Sequence, residues 1–133
     1  MLLLERMDGG RFHTVHSSTT KAITAASNRR PTTTRGAQGQ DLDTLHAIGL
    51  SLAAGPNQWT AMEGGFPIFY DKECVGGIGV SGGDWEQDQE IAQAAVGAVG
   101  ADQSNQIREL SHSERKAMID QYGLGILLSF GDV

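Results

Sequence analysis

The sequence predicts an α+β fold, an antiparallel sheet with helices packed on it, and three observations carry that prediction. Segments with apolar residues at helical spacing alternate with short strand-like runs. Two of those runs, Phe66–Tyr70 and Cys74–Val80, are joined by Asp71-Lys72-Glu73 as a hairpin. The 133 residues suffice for one core and not for two, so the chain reads as a single domain spanning 1–133.

Each element follows from local signals. Leu2 to Met7 is a short strand ended by the turn Asp8-Gly9-Gly10. From Phe12 to Arg29, the positions Phe12, Val15, Thr19, Ala22, Ile23 and Ala26 fall on one helical face. Pro31 stops that helix by pushing the residue before it out of the helical region. A loop runs from Thr32 to Gln40. Asp41 is the expected N-cap of a second helix, with Leu42, Leu45, Ile48 and Leu52 on its packed face and Gly55-Pro56-Asn57 beyond its end. Asp84 with Gln87 three residues on is a capping box for an Ala/Gly-rich helix, Trp85–Val99. Ser111 with Glu114 is a second one, opening a short helix that stops at Gly123, and Leu124–Phe130 follows as a strand.

Composition narrows the function classes. A formal net charge of -6 gives no electrostatic support for a nucleic-acid partner. The lone Cys74 can form neither an internal disulfide nor a cysteine-built zinc site. Met1-Leu2-Leu3-Leu4 is broken at once by Glu5 and Arg6, so it reads as neither a signal peptide nor a membrane span. A cytoplasmic protein without a membrane partner is the simplest expectation.

The glycine-rich run at 76–83 contains G-x-G-x-x-G at Gly77, Gly79 and Gly82. A dinucleotide fingerprint needs its strand to end before the first glycine, whereas this strand runs through the motif. No G-K-[ST] follows, so a P-loop fails too. Alternation puts Cys74, Gly76, Ile78 and Val80 on one face and Val75, Gly77, Gly79 and Ser81 on the other. Glycine inside a strand weakens it, so a bare face marks a close approach. The approaching body is the Ala/Gly-rich helix, a neighbouring subunit, or a flat ligand.

R-M-D-G-G at 6–10, K-A-I-T-A-A at 21–26, R-P-T at 30–32, G-G-F-P-I at 64–68, V-G-G-I-G-V-S-G at 75–82 and E-Q-D-Q-E-I-A at 86–92 occur in one order. In this the chain resembles the GlcG/HbpS haem-binding family over residues 2–101. That family includes the C-terminal domain of propanediol-utilisation corrinoid adenosyltransferases. The resemblance implies a profilin-like antiparallel sheet of about five strands and assembly as a homo-oligomer. It also implies a small-molecule ligand, haem in some members. The family's usual opening helix and strand are missing, while 111–133 supply a helix and a strand beyond the usual end. If that strand pairs beside Leu2–Met7, the domain is complete but circularly permuted.

Two functional expectations stand side by side. The first is a ligand-binding protein taking haem or a related small molecule in a groove between the first helix and the glycine strand. Its candidate ligand-binding residues are Arg6, His13, Thr24, Gly64, Gly65, Gly77 and Gly79. His13 and His16 are three apart on the first helix, a metal pair without a third ligand nearby in sequence. The second is a cofactor-free enzyme (isomerase, lyase or hydrolase) using Lys21, Glu63 or Asp88 as acid–base groups. Lys21 is either a half-buried cation facing an anion or a snorkelling surface lysine. Glu63 precedes Gly64-Gly65 at the entrance to the hairpin, and Asp88 belongs to the family-like segment. His46 and His112 read as structural or solvated, and Trp59 and Trp85 as packing groups.

Overall fold

A computed structural model describes residues 3–35 and 40–99, together with the backbone of strand 126–130. In chain order the elements are β1 (Leu3–Leu4), α1 (Phe12–Asn28), α2 (Thr44–Ala54), β2 (Gly65–Tyr70), β3 (Glu73–Val80), α3 (Trp85–Ala98) and β4 (Ile126–Phe130). The expected helix after Ser111 and its capping box lie outside the described residues.

The strands form one antiparallel sheet in the order β1-β4-β3-β2. The fold is therefore α+β, with four strands among the described residues where the resemblance implied about five. β4 sits in the middle, pairing Leu128 with both Leu3 and Ile78. That is the pairing beside the N-terminal strand that a permuted domain requires.

Local chemistry explains each boundary. Asp71 and Lys72, at φ 49° and 67°, are both left-handed, as a tight two-residue hairpin turn demands. Asp84 accepts from the Gln87 amide at 2.8 Å while the Gln87 side chain returns a bond to the Asp84 amide, completing the expected capping box. α1 ends at Arg29, in the left-handed region at φ 55°.

The alternation of β3 is broken once. The ladder pairs Ile68 with Gly76 and Phe69 with Cys74, so Val75 is an extra, bulged residue. The bulge turns Val75 toward the apolar core, while the Cys74 thiol reaches the Ala26 carbonyl on α1. These two residues thus exchange the faces that strict alternation gave them.

The helices cover opposite faces of the sheet. α3 supplies Ile91, Ala92, Ala95 and Val96, which pack with Val99 on Ile68, Ile78 and Val80 as the apolar core. α1 lies against the other face, with a buried side of Ser18, Lys21, Ala22 and Ala25 flanked by Thr20 and Thr24. Of the expected apolar stripe on α1, Ala22 is buried and Val15, Thr19, Ile23 and Ala26 are half-buried, while Phe12 is 74% exposed.

α2 departs further. Its N-cap is Asp43, not Asp41: the Asp43 carboxylate accepts from the His46 amide at 2.9 Å. No residue of α2 is buried, and Leu45, Ile48 and Leu52, expected to face a core, are exposed instead. No described helix is long and apolar enough to cross a membrane.

Candidate functional site

The bare face of the glycine strand is filled by α1. A Cβ on Gly77 would run into the Ala22 carbonyl oxygen, and one on Gly79 into that of Ser18. These glycines let helix and strand backbones touch, so the groove expected between them is closed to a ligand. The approaching body is the first helix, not the Ala/Gly-rich third. Gly77 and Gly79 are packing glycines rather than ligand contacts.

One step along α1, Lys21 enters the interior. Its Nζ lies 2.8 Å from Asp88 Oδ2 and donates to the Val80 carbonyl at 2.8 Å. Lys21 is 3% and Asp88 4% exposed. Asp88 Oδ1 accepts from the Gly83 amide at 2.9 Å. The pair thus joins helices from opposite faces of the sheet around the end of β3. Gly64 makes room for it at φ 111°, where a Cβ would lie 2.7 Å from the Val80 oxygen and 3.1 Å from Lys21 Nζ.

The three candidate acid–base groups do not converge. Lys21 and Asp88 face each other out of contact with solvent, whereas Glu63 Oε1 accepts from the Thr34 amide at 3.1 Å and its hydroxyl at 3.2 Å. That carboxylate ties the 32–35 loop to the entrance of β2. Thr24, expected at a ligand, donates to the Thr20 carbonyl at 2.8 Å and accepts from the Thr60 amide at 3.0 Å. Gly65 gives its amide to Thr32 Oγ1 at 2.8 Å, and its carbonyl accepts from the Thr32 amide at 2.9 Å. Both make structural ties, and Thr24 also lines the smaller hollow beside Trp59 and Thr60.

The space for a ligand lies past the N-terminal end of α1. A cavity of about 290 Å³ opens between the β1–α1 loop, the first turns of α1 and the turn after β3, with Arg6, Asp8, Arg11, Thr14, Ser18 and Ser81 among its walls. The loop is shaped by Gly9 at φ 78° and by the Gly10 amide bonded to the Met7 carbonyl at 2.9 Å. Ser81 is fixed by a 2.6 Å hydrogen bond between its hydroxyl and that of Ser17. Arg6 reaches the Gly10 carbonyl at 3.3 Å. Neither Arg6 nor Arg11 forms an ion pair among the described residues. α1 has no side-chain cap and no acid in its first turn, and the carboxylates of Glu5 and Asp8 share this region with its positive end.

Of the expected ligand residues only Arg6 lines this cavity. His13 is exposed on α1 with its ring edge-on to Phe12, centroids 5.7 Å apart. His13 and His16 join no group of three metal-ligating side chains among the described residues. Arg11, Thr14, Ser18 and Ser81 were missed by the sequence reading. The available signal was the D-G-G turn leading from a strand into a helix. A smaller hollow of about 140 Å³ lies between Arg30, Arg35, Trp59 and Thr60.

Haem is a poor match to the larger cavity. A tetrapyrrole needs a wide apolar slot and an axial donor. These walls mix polar and apolar groups, the volume lies at the lower end for small-molecule sites, and Met7 is the one axial-type side chain among the lining residues.

An antiparallel sheet with a helix on each face, glycine-mediated helix contact and a polar end cavity defines a class of small α+β proteins. Within that class the chain belongs to the HbpS-like family, described as haem degrading protein HbpS-like, whose profile matches residues 1–97. It is 30% identical over 95 residues to an uncharacterized 15.0 kDa protein from the dhaT-dhaS intergenic region of Citrobacter freundii, covering 71% of this chain and 65% of that one. Over 36 residues it is 47% identical to the corrinoid adenosyltransferase PduO of Salmonella typhimurium, 27% of this chain and 11% of that protein. The chain thus spans about two thirds of one relative and a small part of the other. The crystal structure of ORFY from Klebsiella pneumoniae, a DUF336 protein, superposes with a TM-score of 0.62 at 34% identity, covering 75% of this chain and 67% of that one.

Proposed function

We propose that this protein binds a small oxygen-rich molecule, of metabolite size rather than haem, in the cavity at the N-terminal end of α1. The observation that carries the reading is the cavity itself, about 290 Å³, with guanidinium, carboxylate (Glu5, Asp8) and hydroxyl groups in its walls and two arginines free of ion pairs among the described residues. Membership of the HbpS-like family supports small-molecule binding in general. The second reading, a cofactor-free enzyme, draws less support, because Lys21 and Asp88 are buried against each other and Glu63 is engaged elsewhere.

Self-association draws support from the exposed stripe of Leu45, Ile48 and Leu52 on α2. The position of β4 between β1 and β3 supports a circularly permuted domain.

The test is a thermal-shift and calorimetry panel of short hydroxycarboxylates, short diols and haemin. A hydroxycarboxylate is expected to raise the melting midpoint by several degrees through its binding free energy, and Arg6→Met with Arg11→Met to abolish the shift. Saturable haemin binding with a shifted Soret band, and no response to the small ligands, would sink the reading.

A further inference from the structure

We infer that Lys21 and Asp88 are positioning residues for the cavity: together they tether both ends of the Ser81–Gly82 segment, so this wall stands in place before a ligand arrives. The inference rests on the cavity being the binding site. Its geometry is specific. Lys21 Nζ holds the Val80 carbonyl at 2.8 Å, and Asp88 Oδ1 holds the Gly83 amide at 2.9 Å. Val80 and Gly83 bracket the two residues that this turn contributes to the cavity. The bracketing groups are held to each other through the 2.8 Å ion pair.

The turn needs such a tether. Ser81-Gly82-Gly83 carries two adjacent glycines, whose backbone freedom is the largest of any residue. Gly82 sits at φ 140° and is exposed, so packing does not immobilise it. Holding α1 to α3 would not by itself call for charge, since well-packed apolar side chains of similar volume replace a buried ion pair at little cost. Apolar side chains, however, cannot bond the Gly83 amide or the Val80 carbonyl. A buried charged pair therefore supplies order in the turn that an apolar pair does not.

That distinction sets the test. The double variant Lys21→Met/Asp88→Leu should keep a melting midpoint near that of the wild type yet release the turn. By amide NMR, Gly82 should fall from a rigid order parameter of about 0.85 to below about 0.6, while Ser81 stays held by its 2.6 Å bond to Ser17. Hydrogen exchange at Gly83 should quicken at least about tenfold, the scale of losing one charge-assisted bond, with Ile91 on α3 unchanged. Should the double variant not fold, Asp88→Asn keeps an oxygen for Gly83 and removes the charge that orients Lys21. It should then loosen Gly82 while leaving Gly83 protected. Order at Gly82 unchanged in whichever variant folds overturns the inference. The readout needs no ligand, so failure of the ligand panel and failure of the tether are separate results.

Discussion

Replacing Gly79 by alanine tests how closely α1 is seated on the sheet. The added methyl carbon would overlap the Ser18 carbonyl oxygen and lie 2.7 Å from the Ala22 nitrogen and 2.8 Å from the Ser18 carbonyl carbon. All three are helix backbone atoms, so no rotamer change relieves the clash. α1 must retreat by on the order of 1 Å to restore ordinary contact. It cannot do so freely, because Lys21 and Thr24 bind it to Asp88 and the Thr60 amide. The cost belongs at or above the upper end of the roughly 1–3 kcal/mol range for overpacking. For a domain of this size that lowers the melting midpoint by roughly 10 °C. Thermal and urea denaturation followed by circular dichroism measure it. Gly49→Ala and Gly97→Ala are the controls: both lie in helices with nothing within 4 Å of the added carbon, and each should stabilise by about 0.4–1 kcal/mol. A Gly79→Ala protein melting within about 2 °C of wild type would refute the direct backbone contact.

Further outcomes follow from the same contacts. Lys21→Met alone strands a buried carboxylate and should cost about 3–5 kcal/mol in denaturant unfolding, most of it recovered in Lys21→Met/Asp88→Leu. Thr24→Val removes the acceptor of the buried Thr60 amide and should cost about 1–3 kcal/mol by the same measurement. Leu45→Glu with Leu52→Glu should change stability by less than about 0.5 kcal/mol per site. If α2 carries a self-contact, that variant also lowers the mass measured by sedimentation. The Asp43 carboxyl is held below its ordinary value of 3.8, first by the His46 amide bond and then by the His46 side chain. A depressed carboxyl stabilises above its unfolded value and loses that contribution as pH falls through the folded one. The α2 cap should therefore persist at pH 5 and be lost below about 3.8, seen as a shift of the His46 amide resonance.

Local and periodic features were written in the sequence. The hairpin, the α3 capping box, the first helix and its end at Pro31 depend on neighbours a few residues away, so propensity and spacing suffice to place them. The glycine alternation likewise showed that something lies close to one face of β3, and the motif order gave the family. Which body lies there was a long-range question: Gly79 and Ser18 are sixty-one positions apart, and nothing in either segment names the other. The same holds for the roles of Lys21 and Asp88, which a single sequence presents as free acid–base candidates. Only folding both helices around the end of β3 makes them neutralise each other. Arg6, Arg11 and Ser81 share a cavity because β1 and α1 are laid beside the end of β3, a closeness set by sheet order rather than by spacing. Sequence alone determined the hairpin, the first and third helices and the close approach to the sheet. Tertiary structure decided which polar groups are used up in holding the fold and which are left to meet a ligand, because hydrogen-bond satisfaction in the interior depends on partners distant in the chain.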